Sequence, residues 1–345
     1  MGSLTASLAA RIRSRLERIV SQPIPWNPLS PEDVKVFQGV FQRPKFFIFG
    51  HARSGTTLLA RLVRLHPDVH CNWQGRFVTH YGDLLDLMTS EPISQWLWHH
   101  SNHWREGISS EAALARSAIE TIMEMEANRL GKSIVGDKTP NLRNAESVRR
   151  LHAVFPDAKL IFIVRDGRDV MVSLRLAQFI TRPHELDWQG RKIRRAMFRD
   201  TSAFMSRGET IFTEAWLRKM AMRWCDNVDG SHREGLRLFG QKFFELRYED
   251  LLSNPISWLS RIWAFLGAES GLVPADEIQA ELSVNRTYEY RTGVADDIIR
   301  HLPPRGPGSW RHFFNNKYLE IFLDIAAPTL KAWGYPLGSS VNLPQ

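Results

Sequence analysis

The stretch FIFGHARSGTTLLARL, Phe47 to Leu62, decides the reading of this chain. A β-rich run ends in glycine, a short turn rich in Ser, Gly and Thr follows, and a helical pattern begins. That order builds an anion cradle. Successive backbone N–H groups and the helix N-terminus, equivalent to roughly half a positive charge, converge on one point. Gly55 lets a ligand approach the backbone, Ser54, Thr56 and Thr57 add hydroxyls, and Arg53 adds a fixed cation. The loop departs from the triphosphate pattern, Gly-Lys-Thr or Gly-Lys-Ser, because Gly55-Thr56-Thr57 carries no lysine. A plain strand-to-helix turn capped by serine or threonine is the structural alternative.

Outward from the loop, short apolar runs alternate with helical stretches, the pattern of a parallel sheet with crossover helices. Strands are expected at Lys45–Gly50, Ser133–Asp137, Lys159–Asp166 and Lys242–Asp250. Helices are expected from Thr56 to about Leu65, then at Ser110–Leu130, Ala145–Phe155, Asp169–Ile180, Pro255–Leu266 and Lys317–Trp333, the last kinked at Pro328. Trp73–Asn102, Thr181–Thr210 and Tyr290–Arg311 read as irregular connections. The expectation is an α/β, three-layer fold of phosphate-loop type with a central parallel sheet flanked by helices. Residues 1–40 read as an N-terminal helical extension and 41–345 as a single domain.

Composition narrows the classes. Of 345 residues, 43% are hydrophobic, enough for a sizeable core, and only Cys71 and Cys225 are cysteines, which excludes a disulfide scaffold and a Cys-x-x-Cys zinc cluster. No apolar run approaches the roughly 20 residues that span a bilayer. Arg11, Arg13 and Arg15 interrupt any leader-like segment, so a cytoplasmic location is expected. The arginine-rich start is amphipathic, with Leu8, Ile12, Leu16, Ile19 and Val20 near helical spacing. It suits a helix packed on its own domain or on a second copy in a homodimer; a transit peptide and a membrane-surface helix are the alternatives. The net charge of +8 implies an anionic partner without choosing one. Its densest cluster, Arg191 to Arg199, fits a nucleic-acid patch, a solvated helical face or a lid over an anionic ligand.

Six ordered segments carry a more specific signal: RSGTTLL (53–59), HPDV (66–69), GDKTPNL (136–142), FPDAKLIFIVRDGRDVMVSL (155–174), RYEDLLSNP (247–255) and GSWRHFF (308–314). Together they resemble the sulfotransferases that use 3′-phosphoadenosine 5′-phosphosulfate (PAPS), especially the bacterial and tyrosylprotein-type branches. The resemblance implies a sulfuryl transfer to a hydroxyl acceptor, with adenosine 3′,5′-bisphosphate (PAP) as product. It implies that Arg53, Ser54, Gly55, Thr56 and Thr57 hold the phosphosulfate, and that Arg165 and Ser173 hold the 3′-phosphate. Tyr248 would lie beside the adenine, and Arg305-Gly306 would close over the 3′-phosphate, although Pro307 departs from the longer cytosolic pattern. Lys138 would serve the leaving group, because a partly buried lysine can drop its pKa whereas Arg53 is a poor proton donor.

The acceptor side departs from the family. Gln74 stands where tyrosylprotein sulfotransferases carry a glutamate base, and an amide cannot accept the proton. His80 is the first substitute, then one of His99, His100 and His103, while Gln74, Arg76 and His103 are assigned to acceptor binding. Trp96, Trp98 and Trp104 could stack on a sugar or aromatic ring. The histidine cluster lacks a carboxylate partner at metal-site spacing, so no metal is expected, and no nucleic-acid partner either. A nucleotide or small-molecule kinase is the alternative enzyme, opposed by the absent loop lysine. A non-enzymatic module binding an acidic polymer is the alternative outside catalysis.

Overall fold

In the computed structural model the described residues are 28–72, 99, 110–138, 145–269, 271–288, 302 and 306–338. Helix α1 (Pro31–Val40) precedes strand β1 (Lys45–Phe49), and the loop at 50–55 leads into α2 (Thr56–Val63) and β2 (Val69–Asn72). Next come α3 (Ser110–Leu130), β3 (Ile134–Lys138), α4 (Ala145–Val154), β4 (Lys159–Val164) and α5 (Gly167–Thr181). Helices α6 (Trp188–Arg199), α7 (Thr201–Ser206) and α8 (Glu214–Phe239) lead to β5 (Phe243–Arg247). The described chain ends with α9 (Tyr248–Ser253), α10 (Pro255–Leu266), α11 (Ala275–Tyr288) and α12 (Asn316–Ala332).

The five strands form one parallel sheet in the order β2-β3-β1-β4-β5. Residues alternate across the two faces of a strand, and the core divides accordingly. Phe47 and Phe49 of β1 join Leu160, Phe162 and Val164 of β4 on one face, against α4, α8 and α12. Phe46, Ile48, Ile161 and Ile163 point the other way, against α2 and α10. Burial on both faces is why β1 and β4 read as continuous apolar runs rather than alternating ones.

Several expected boundaries move. β3 runs one residue past Asp137, so Lys138 is a strand-end residue. β5 stops at Arg247 and Tyr248 opens a helix. β2 was not anticipated, being only the four residues VHCN. Thr181–Thr210 is not irregular: it holds α6 and α7, capped by Asp187 on the Gly190 amide and by Asp200 on the Ala203 amide. Helices α8 and α11 were also unanticipated, whereas α1 lies within the expected N-terminal helical extension. In α8 the signal was present, since Leu217, Ala221, Trp224 and Val228 are buried at helical spacing, but dense charge on the opposite face hid it. α12 continues across Pro328. The amphipathic segment at the start of the chain lies outside the described residues.

The sequence RDGRD at the β4–α5 junction is not a solvated turn. All four of its charged residues are buried. Arg168 is paired with Asp166 at 2.7 Å and stacks on Trp310 at 4.2 Å. Asp169 accepts hydrogen bonds from the Gly308 amide (2.7 Å), the Ser309 hydroxyl (3.0 Å) and the Trp310 amide (2.8 Å). Glu249 makes a second tie, accepting from the Asp166 amide at 3.0 Å and the Tyr335 hydroxyl at 2.7 Å. Replacing Asp169 with alanine strands three buried donors, each costing about 1–3 kcal/mol. Urea denaturation of Asp169→Ala is expected to show a loss of about 3 kcal/mol, with faster proteolysis near Gly308; an unchanged midpoint would mean the segment is held by other contacts.

Candidate active site

The loop between β1 and α2 is shaped by two glycines. A Cβ at Gly50 would overlap the Ile163 carbonyl of the neighbouring strand, and one at Gly55 would overlap the Tyr248 ring. Gly55 also has φ of 91°, which favours glycine. Arg53 is the unusual member: among the described non-glycine residues it alone has positive φ, at 72°. Such a conformation costs on the order of 1–3 kcal/mol and persists only where its surroundings hold it. Here Arg53 Nε donates to Ser173 Oγ at 2.9 Å, and Arg165 Nη1 donates to the Arg53 carbonyl at 3.4 Å.

The residues assigned to the two anions therefore meet at one place, brought there by β1, β4 and α5. Helix α2 begins at Thr56 with no side-chain cap, which leaves the amides of its first turn directed at the loop. Ser54 Oγ and Arg165 Nε are buried without a hydrogen-bond partner among the described residues. Unsatisfied buried polar atoms are costly, and these two suit an anionic ligand. The Arg165 guanidinium lies 4.6 Å from the centre of the Tyr248 ring, so Gly55, Tyr248 and Arg165 form one packed group.

Lys138 approaches from the other side. It ends β3, paired in register with Ile48 of β1, and its Nζ donates to Thr57 Oγ1 at 2.9 Å. Burial pushes its pKa below the ordinary lysine value; Asp137 opposes that shift and Arg53 reinforces it. Cys71 itself is buried, and burial drives its thiol pKa far upward, so it stays protonated and unreactive.

Two clefts flank the loop. One, of about 540 Å³, is lined by Leu58, Tyr248, Glu249, Leu252, Gln279 and Gly306, among others. The second, of about 450 Å³, lies between α5 and α8, and His51 and Ala52 of the loop form part of its wall. His51 was missed in the sequence, where a single histidine after a strand carries no motif. Its Nδ1 lies 2.8 Å from the Ala52 carbonyl, and burial, with a smaller contribution from Arg223, lowers its pKa to about 4. A third hollow, of about 410 Å³, is walled by Pro183, Phe198 and four arginines of α6, members of the basic cluster at Arg191–Arg199.

Arg53, Thr57, Lys138, Arg165, Ser173 and Tyr248 are thus gathered by direct contacts, and Gly306 shares a cleft with Tyr248. Gln74, Arg76, His80, His100, His103 and Arg305 lie outside the described residues, as do Trp96, Trp98 and Trp104; His99 is exposed. Among the described residues no group of three or more His, Cys, Asp or Glu is arranged to hold a metal ion, and no helix is long and apolar enough to cross a membrane.

The profile of the sulfotransferase family matches residues 44–270, from the start of β1 to beyond α10. The chain belongs to the sulfotransferase family. It is 25% identical to a protein-tyrosine sulfotransferase of Drosophila melanogaster over 323 residues, covering 89% of this chain and 54% of that protein. It is 30% identical to human protein-tyrosine sulfotransferase 1 over 138 residues, 38% of this chain and 34% of the relative. The chain spans about half or less of the length of such relatives. A mouse sulfotransferase crystallised with PAP is 16% identical, with a TM-score of 0.46 over 89% of this chain and 95% of that one. Gly306 and the segment tied to Asp169 lie beyond the matched region.

The lowered pKa of Lys138 is directly measurable. After reductive ¹³C-methylation, its NMR resonance is expected to titrate below those of exposed lysines, and an anion in the loop should raise it by favouring the charged form. A titration indistinguishable from surface lysines would contradict the burial seen here.

Proposed function

We propose that this chain transfers a sulfuryl group from PAPS to a hydroxyl acceptor, with residues 41–345 forming one catalytic domain. The observation that carries the reading is the convergence of Arg53, Lys138, Arg165 and Ser173 on an uncapped helix N-terminus, with Ser54 Oγ and Arg165 Nε buried and without a partner among the described residues. The donor supplies an activated sulfuryl group and two separated anions. The loop amides with Ser54, Thr56 and Thr57 would hold the phosphosulfate, and Arg165 with Ser173 the 3′-phosphate. Tyr248, whose ring already backs on Gly55 and Arg165, would cover the adenine in the cleft it shares with Gly306.

Transfer of this kind depends on positioning and on stabilising charge where it develops. Arg53 is fixed by Ser173 and supplies permanent charge. Lys138, held by Thr57 and with a depressed pKa, can both stabilise and protonate the departing phosphate oxygen. Fixed protein cations thus take the role that a metal fills in many phosphoryl-transfer sites, so turnover is expected to survive chelation. The strained backbone of Arg53 is consistent with a residue held for function rather than for stability.

The tests separate binding from chemistry. Calorimetry is expected to show that PAP binds the wild-type protein and that Arg165→Ala weakens it by roughly ten- to a hundredfold, since a hydrogen bond to a charged group contributes about 1.5–3 kcal/mol. Lys138→Ala is expected to retain PAP binding while PAPS turnover falls by about a hundredfold or more. Lack of PAP binding, or turnover that requires ATP and magnesium, would point instead to a kinase on the same loop.

A further inference from the structure

We propose that the cleft between α5 and α8 receives the acceptor and that His51, in its wall, takes up the acceptor's proton. The inference rests on the sulfuryl-transfer reading and names a base for it among the described residues, because Gln74 cannot serve as one and His80, the first substitute expected from the sequence, lies outside them. Four observations carry it. His51 belongs to the anion loop itself, two residues before Arg53, so any acceptor touching it is already beside the site of transfer. The cleft it faces shares a boundary with that site: Leu174, which lines the cleft, follows Ser173, the partner of Arg53 Nε. The other cleft, lined by Leu58 and Tyr248, opens from the opposite end of the loop. In-line displacement needs the incoming and departing oxygens on opposite sides of the sulfur, so acceptor and donor need separate space, and the two clefts are lined by different residues.

The fourth observation is the imidazole's tautomer. A carbonyl oxygen can only accept, so the 2.8 Å contact to Ala52 fixes the proton on Nδ1 and leaves the Nε2 lone pair available. The acceptor oxygen forms its bond to sulfur while the bond from sulfur to the bridging phosphate oxygen breaks. The acceptor's proton passes to Nε2, and the departing oxygen keeps the electron pair beside Lys138. His51 is neutral before reaction, since burial holds its pKa near 4. The charged groups around it are Arg53 in the loop, Arg182 and Glu185 after α5, and Lys219 and Arg223 on α8. Of these, Arg223 adds a smaller lowering contribution to that of burial. Anionic donor bound in the loop offsets the cations and raises the basicity of Nε2 as the acceptor arrives.

The test needs no knowledge of the natural acceptor. In the full chain labelled with ¹⁵N-histidine, His51→Asn identifies the His51 resonances, and the asparagine amide preserves the donor to Ala52. The expected result is an Nδ1–H tautomer whose proton affinity rises roughly tenfold or more when PAP binds. Phenol, as an acceptor probe added to the PAP complex, should then move the Nε2 resonance in the wild type. It should fail to do so in Leu174→Trp, or in Met220→Trp if the first does not fold, because either indole fills the cleft. An Nε2–H tautomer, a titration indifferent to PAP, or an Nε2 signal unmoved by phenol would overturn the assignment. Failure of PAP to bind the wild type by calorimetry would instead remove the donor reading beneath it.

Discussion

The site depends on the register that sets β1 between β3 and β4. Ile48 lies opposite Lys138 on one side, while Phe49 lies opposite Phe162 on the other, three residues before Arg165. A shift of either pairing by one residue would exchange the faces of the strand. It would draw Lys138 or Arg165 into the apolar layers and empty the loop of its charge. The phenylalanines and isoleucines that divide between the two core layers are what prevent that shift. They place two cations at one end of the sheet, facing a helix N-terminus that repels neither the ligand nor its charge.

Holding cations there costs stability. Lys138 and Arg165 are both buried, Arg53 has left the allowed region favoured by non-glycine residues, and Ser54 Oγ lacks a partner among the described residues. Each departure is small against the burial of the two core layers, and an anion in the loop would offset the charge burial and give Ser54 Oγ a partner. The neighbouring buried charges behave differently. Arg168 is committed to Asp166, the Trp310 ring and the Leu337 carbonyl, and Asp169 to Gly308, Ser309 and Trp310, so one pentapeptide contains both Arg165, whose Nε has no partner among the described residues, and the residues that fasten the carboxyl-terminal segment.

Most of the sheet and the loop were legible in the sequence because both follow local rules: strands buried on two faces are uninterrupted apolar runs, and a cradle announces itself by glycine and hydroxyl residues between strand and helix. The failures have physical causes. β2 is too short for periodicity to register, and α8 alternates buried residues with a dense charged face. The arginine-rich α6 looked like a loop because its caps, Asp187 and Asp200, are scattered among charges. At the site, Arg53, Lys138, Arg165, Ser173 and Tyr248 could be named from motifs, yet only three-dimensional placement shows that Arg53 Nε meets Ser173 and that Lys138 meets Thr57. His51 had no local signature at all. Its interest comes from a cleft made by α5 and α8, whose walls are far apart in sequence.

The clasp at Asp169 has a consequence in time. It joins residues 139 to 141 positions apart, and the Glu249–Tyr335 tie likewise waits for the chain beyond α12. Contacts of such separation are slow to form, because the intervening chain must be ordered before they repay its entropy. The sheet and the anion loop can assemble from the first two-thirds of the polypeptide, but Gly306 and the wall it shares with Tyr248 cannot. Closure of the cleft that Gly306 shares with Tyr248 is therefore expected to follow formation of the sheet and the loop.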